Sequence, residues 1–282
     1  MAWDSVRRRV VLHGGWESSS LDDTWLFDGS TWTQVSTASG PGARSEHAMV
    51  FDEARGVVVL FGGYSSGGLA TGTWLWDGVR WTEQMTSSAP SQRARHAMAY
   101  DSVRQRVLLF GGFGSRFSTF EELGDLWELS AQGWSLVKET PGFARRNHAM
   151  AYDRLRKNLV VFGGVDRTNT GLTDTLVFDG RNWSVVPSGF SNPVQPLGHT
   201  LVWDDQSGDL VIYGGQQGDF LVASTAALNG QAWSSLVVVG DTPPVRTGHA
   251  MVYDASRKSM VLFGGRGGAG VGTLGDTWVM TR

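Results

Sequence analysis

The chain has 282 residues, 24 Lys and Arg against 27 Asp and Glu, a formal charge of −3 and no cysteine. That balance lacks the basic face that nucleic acids and anionic membranes attract, so neither is expected as a partner. Without cysteine there are no disulfides, no thiolate catalysis and no cysteine-ligated zinc, and no apolar stretch approaches the ~20 residues of a membrane helix.

The N-terminus has no secretory pattern. Arg7, Arg8 and Arg9 precede only Val10, Val11 and Leu12, so a chain complete as given is expected in the cytoplasm. Met1-Ala-Trp-Asp4 is followed by Arg7, an apolar run at 10–13 and the pair Gly14-Gly15. A variable loop, the segment Asp23-Thr-Trp-Leu-Phe-Asp28, the dipeptide Asp28-Gly29 and Trp32 complete the unit. The same order then recurs. His47-Ala-Met-Val-Phe-Asp52 opens the second unit, and His96, His148, His199 and His249 open the others. Gly-Gly pairs at Gly14, Gly62, Gly111, Gly163, Gly214 and Gly264 lie about 50 residues apart.

Each unit reads as four short strands, A to D. Asp-x-x-Arg turns join A to B, as at Asp52/Arg55 and Asp254/Arg257, and Asp-Gly hairpins join C to D. The B runs, such as 57–61 and 210–213, are apolar at consecutive positions. Such strands are buried on both faces, so each sheet needs a neighbour on either side. Six sheets stacked around an axis satisfy this. The expected fold is all-β, a six-bladed β-propeller of four-stranded antiparallel blades forming one domain over 1–282. The sixth unit reaches strand C at Asp276-Thr-Trp-Val279 without a D strand. That leaves the edge at 277–280 open, and self-association is expected there. The fifth unit departs from the others at Pro196, Thr200, Ser207 and Ala226, read here as drift in a redundant core.

Arg-x-x-His before strand A, Gly-Gly after strand B and a Trp on strand D together resemble the Kelch repeat family, over the whole chain. The resemblance implies a Kelch-type propeller with a central channel and binding surfaces on its loops, but no single activity. The Cys-Tyr cofactor of the oxidase branch is impossible without cysteine. The iron-dependent specifier pattern Glu-x-x-x-Asp-x-x-x-His fails, because Glu121 and Asp125 are followed by Leu129. Mutarotases of this fold use Arg and Glu near the channel, and no motif fixes that correspondence here.

Strand order puts the D-to-A and B-to-C loops at one end, around the expected channel mouth. Arg44, Glu46, Arg95, Arg146 and Asn147 lie in the D-to-A segments. Arg116, Phe117, Phe120 and Glu121 lie in the longest B-to-C loop, 113–124. Guanidinium geometry suits a carboxylate clamp, and protruding aromatics suit a binding lip. Arg44 repeats as Arg93, Arg145 and Arg246, which also fits arginines bonding backbone carbonyls. The five repeated histidines share a strand face with Met49 and Phe51 and its equivalents, so they are expected to be buried and hydrogen-bonded, with no metal. The expected function is a binding module for a peptide or a small polar, carboxylate-bearing ligand, with no cofactor. The alternative is a small-molecule enzyme of epimerase, mutarotase or cyclase type using channel-mouth Arg and Glu.

Overall fold

The computed structural model describes residues 1–116, 118–186, 197–236 and 241–281. It is all-β, with one 3₁₀ turn at Pro141–Phe143 and no α-helix among the described residues. Two compact units divide the chain, Met1–Arg146 and Asn147–Arg282.

In the first unit, the first sheet runs Ala2–Asp4, Arg9–Trp16, Ser20–Phe27 and Trp32–Val35. The second runs Ala48–Asp52, Val57–Phe61, Thr73–Trp76 and Trp81–Gln84. The third runs Ala97–Asp101, Arg106–Phe110, Asp125–Ser130 and Gly133–Glu139. In the second unit, the fourth sheet comprises Ala149–Asp153, Asn158–Phe162, Thr175–Phe178 and Trp183–Val186. The fifth comprises Thr200–Asp204, Asp209–Tyr213, Thr225–Leu228 and Trp233–Ser235. The sixth has Ala250–Asp254, Ser259–Phe263 and, as edge strand, Thr277–Met280. Each of these six sheets is an antiparallel meander in the order A, B, C, D, the sixth stopping at C among the described residues.

Alternation along strand B explains the consecutive apolar residues. Val58 and Leu60 pack toward the first sheet with Val11, Trp76 and Trp81. Val59 and Phe61 pack toward the third with Tyr100, Leu109 and Leu129. The fifth sheet divides in the same way. Leu210 and Ile212 meet the fourth sheet's Val160 and Phe162, while Val211 and Tyr213 meet the sixth sheet's Leu262. Each fully buried side chain of this kind contributes roughly 1.5–3 kcal/mol. Ala226 sits inside one of these clusters, so the loss of bulk in the fifth unit is absorbed by packing.

Three strand-D tryptophans fasten their sheet to the one before within a unit. Nε1 of Trp81 donates to Thr24 Oγ1 at 3.0 Å, that of Trp134 to Thr73 at 2.8 Å and that of Trp233 to Thr175 at 2.9 Å. The Gly-Gly pair sits at the same kind of junction. Gly63 N–H donates to Arg93 O at 2.9 Å and Gly215 N–H to Arg246 O at 2.8 Å. Gly62 has φ +68, and a Cβ there would lie 2.4 Å from Arg93 O and 2.8 Å from His96 Cε1. Only glycine fits between the sheets at this point. The repeated Gly, Arg and His are therefore three parts of one contact.

Candidate functional site

The site is built where strands A begin and strands B end. The residue just before each strand-A histidine has a left-handed backbone: Glu46 (φ 56°), Arg95 (φ 60°), Asn147 (φ 57°), Gly198 (φ 61°) and Gly248 (φ 65°). Within each unit one backbone bond joins two of these positions, Arg95 N–H to Glu46 O at 2.9 Å and Gly248 N–H to Gly198 O at 2.8 Å. Glycine or asparagine suits such a position. Glu46 and Arg95 occupy it with charged side chains instead.

Those two side chains pair. Arg95 Nε is 2.7 Å from Glu46 Oε2 and Nη2 is 3.1 Å from Oε1. The guanidinium also lies over the Tyr64 ring, 5.7 Å from its centroid. One sheet on, a similar cage is built from different positions: Arg146 lies over Phe113 at 6.0 Å and pairs with the buried Glu122. Tyr64 and Phe113 each directly follow a Gly-Gly pair, so the two rings are equivalent, while the arginines are not: Arg95 directly precedes its histidine and Arg146 stands two before His148.

Electrostatics join the cages. The bond to Glu46 raises the pKa of Arg95 above its ordinary value, against the effect of burial. Burial lowers that of Arg146, and the positive charge of Arg95 lowers it further, while Tyr64 and Glu46 pull the other way. Two guanidiniums are thus held close enough to repel, each braced by a ring and a carboxylate. Arg95 spends Nε and Nη2 on Glu46 and has no acceptor for Nη1 among the described residues. That arrangement suits a carboxylate entering from outside.

Of the residues singled out from sequence, Glu46, Arg95 and Arg146 are brought together. Arg44 follows the carbonyl-bonding reading and not the ligand one: it is 4% exposed, with Nη1 on Gly62 O at 2.9 Å and further donors on Gly42 O and Pro41 O. Its N–H groups serve carbonyls that the turn leaves unpaired, so it is a buried junction group and not part of the exposed cluster. The 113–124 segment is also corrected, from a loop to a β-hairpin of Phe113–Arg116 and Thr119–Glu122. Phe113 stacks on Phe120, whose ring stays 57% exposed. Arg116 bonds Glu139 at 3.0 Å on strand D of its own repeat. Glu121 and Glu122 alternate across the hairpin, so Glu122, not Glu121, meets Arg146. Asn147 keeps the left-handed position described above in its own unit. Phe117 lies outside the described residues. Tyr64 was missed as a site residue, although an aromatic directly after Gly-Gly was visible in the sequence; Phe113 and Glu122 fall within the 113–124 segment that the sequence singled out.

Neither the family models nor the curated proteins give a match to this chain.

The histidines pack at the sheet junctions. His96, His199 and His249 meet the rings of Phe61, Phe162 and Tyr213 edge-on at 5.7, 5.3 and 5.6 Å. His199 Nε2 lies 3.2 Å from Phe162 O, and His249 Nε2 lies 2.9 Å from Thr200 Oγ1. Burial pulls the pKa values of two of these rings, His96 and His249, well down to about 3, and that of His13 to about 4. No group of three or more His, Asp and Glu suited to a metal ion occurs among the described residues.

Proposed function

We propose that the chain is a six-bladed propeller of the Kelch type that binds a peptide or small polar ligand through its carboxylate. The binding groups are Arg95 and Arg146, with Glu46, Tyr64 and Phe113 shaping the site and the Phe120 hairpin as its lip. One observation carries this reading: two guanidiniums of one unit are each laid over an aromatic ring and paired with a carboxylate. Stacking fixes the planes of the guanidiniums before a ligand arrives, so less side-chain entropy is lost on binding. Meanders stacked face to face within each unit, fastened by Gly-Gly and strand-D Trp, support the propeller. Self-association along the edge strand Thr277–Met280 belongs to the same proposal.

The test is calorimetric titration with mono- and dicarboxylates and peptides with free C-termini, against the matching amides. Carboxylates should bind and amides should not. Arg95→Ala and Arg146→Ala should each weaken binding at least tenfold, the size of a lost charge-assisted bond of roughly 1.5–3 kcal/mol. Equal affinity for acids and amides would overturn the proposal.

A further inference from the structure

The second sheet lacks a carboxylate that the third and sixth have, although it keeps the arginine. In the third sheet, Arg93 donates from Nη1 to Gly111 O at 3.0 Å and to Asp125 Oδ1 at 2.7 Å, and from Nη2 to Asp125 Oδ2 at 2.7 Å. Trp127 Nε1 adds a third donor to Asp125 Oδ2 at 2.7 Å. The sixth sheet repeats the set. Arg246 bonds Gly264 O at 2.9 Å and both Asp276 oxygens at 2.7 Å, and Trp278 Nε1 bonds Asp276 Oδ2 at 2.6 Å. Each carboxylate thus accepts three N–H groups, two of them from a fully buried guanidinium.

The second sheet keeps the donors. Arg44 bonds Gly62 O at 2.9 Å just as Arg93 bonds Gly111 O. Trp74 holds the position of Trp127 and Trp278, but two residues before it stands Gly72, where the other sheets have Asp125 and Asp276. The Arg44 N–H groups that its counterparts turn to a carboxylate, and Trp74 Nε1–H, have no acceptor among the described residues. A buried guanidinium with only carbonyl partners is a costly arrangement. Burial lowers its pKa to about 10, with the charge of Glu83 pulling the other way. Glu83 stands at the rim: a Cβ on Gly72 would lie 2.8 Å from its Oε1 and 3.1 Å from Trp74 Nε1. No salt bridge joins Glu83 to Arg44, and its side chain is exposed.

We propose that the notch at Gly72 is a second anion site, taking a compact carboxylate the size of an aspartate side chain onto Arg44 and Trp74. It is independent of the Arg95–Arg146 cluster, since it rests on comparison among sheets. Glu83 competes for the notch from its rim, and its carboxylate must swing aside when a ligand enters.

The experiment is a series of thermal melts and ¹³C-formate titrations on the full chain, with sodium chloride at matched ionic strength as control. Formate should raise the melting temperature saturably and beyond chloride. Glu83→Gln should lower the half-saturating concentration. Trp74→Phe should raise it about tenfold, the effect of one hydrogen bond to a charged group. Gly72→Asp places a carboxylate in the notch, so it should abolish the response to formate. Should Gly72→Asp fail to fold at its φ of +93°, Glu83→Gln and Trp74→Phe decide the matter alone. A formate response no larger than that to chloride, or one unchanged in Trp74→Phe and Glu83→Gln, would overturn the site.

Discussion

Arg95 and Glu46 face each other in a two-point ion pair, Nε to Oε2 at 2.7 Å, although both hold left-handed backbones that two equivalent positions give to glycine. A non-glycine residue in that region costs roughly 1–2 kcal/mol. A part-exposed ion pair returns only about 0.2–1 kcal/mol. Glu46→Gly should therefore leave stability within about 1 kcal/mol of wild type, because relief of strain offsets the lost pair and the flexibility of glycine. It should also release Arg95 and tighten carboxylate binding. Paired melts and titrations check both halves; a large loss of stability would mean that the pair is there for the fold.

Acid should destabilise the protein well above the carboxylate range. Burial depresses the folded pKa of His13 to about 4 and of His96 and His249 to about 3. Unfolded, these rings take up a proton near pH 6.5. The unfolded chain thus binds more protons between these values, and stability falls as pH drops. The contribution is whole above about pH 6.5 and gone once the folded rings protonate near 3–4. Melting temperature should be level from pH 7 to 9 and decline from about pH 6 downward. A level profile down to pH 5 would show that the rings are not held neutral.

The Arg93–Asp125 pair gives a contrasting case. Burial pushes the Asp125 carboxyl up, and its bonds to Arg93 more than reverse this, so its pKa lies below the ordinary value. A depressed carboxylate stabilises the fold above about pH 4 and stops doing so as pH falls through the folded value. Asp125→Ala leaves a fully buried guanidinium without its anion and should cost about 3–5 kcal/mol. Denaturant unfolding of this variant, with Arg93→Met/Asp125→Leu alongside, separates the cost of the orphaned charge from the worth of the pair.

How much was legible follows the physics of repetition. Alternating burial along Val58, Val59, Leu60 and Phe61 could be read directly, because a strand covered on both sides needs apolar residues at every position. The Gly-Gly, Arg and His markers were visible as a pattern, but their meeting across a sheet junction was not, since it joins residues about 30 apart in different sheets. For the same reason Glu122 was passed over in favour of Glu121: hairpin parity decides between neighbours, and the segment had been read as a loop. The repetition of Arg44 as Arg93, Arg145 and Arg246 pointed to carbonyl bonding, but sequence does not show which carbonyls it faces. Tyr64 follows the same Gly-Gly as Phe113, and its role emerges only when Arg95 of the next sheet lies over it.

The edge strand Thr277–Met280 has no partner on its outer side among the described residues. Open edges pair readily with other chains. Its amides are expected to exchange faster than those of Thr73–Trp76, which strand D covers in the second sheet. Sedimentation at rising concentration should show self-association that slows this exchange. Protection equal to that of Thr73–Trp76 in dilute monomer would contradict the open edge.

The claim that Arg95 is a ligand group held at some expense to the backbone is tested most directly by Arg95→Gly. Glycine fits the left-handed position, so the junction and its N–H bond to Glu46 O should persist, and the melting temperature should stay close to wild type. Calorimetric titration of that variant with a carboxylate that binds the wild type should give an affinity at least tenfold weaker, the cost of losing one charge-assisted pairing of roughly 1.5–3 kcal/mol. Unchanged affinity in a folded Arg95→Gly protein would contradict the account.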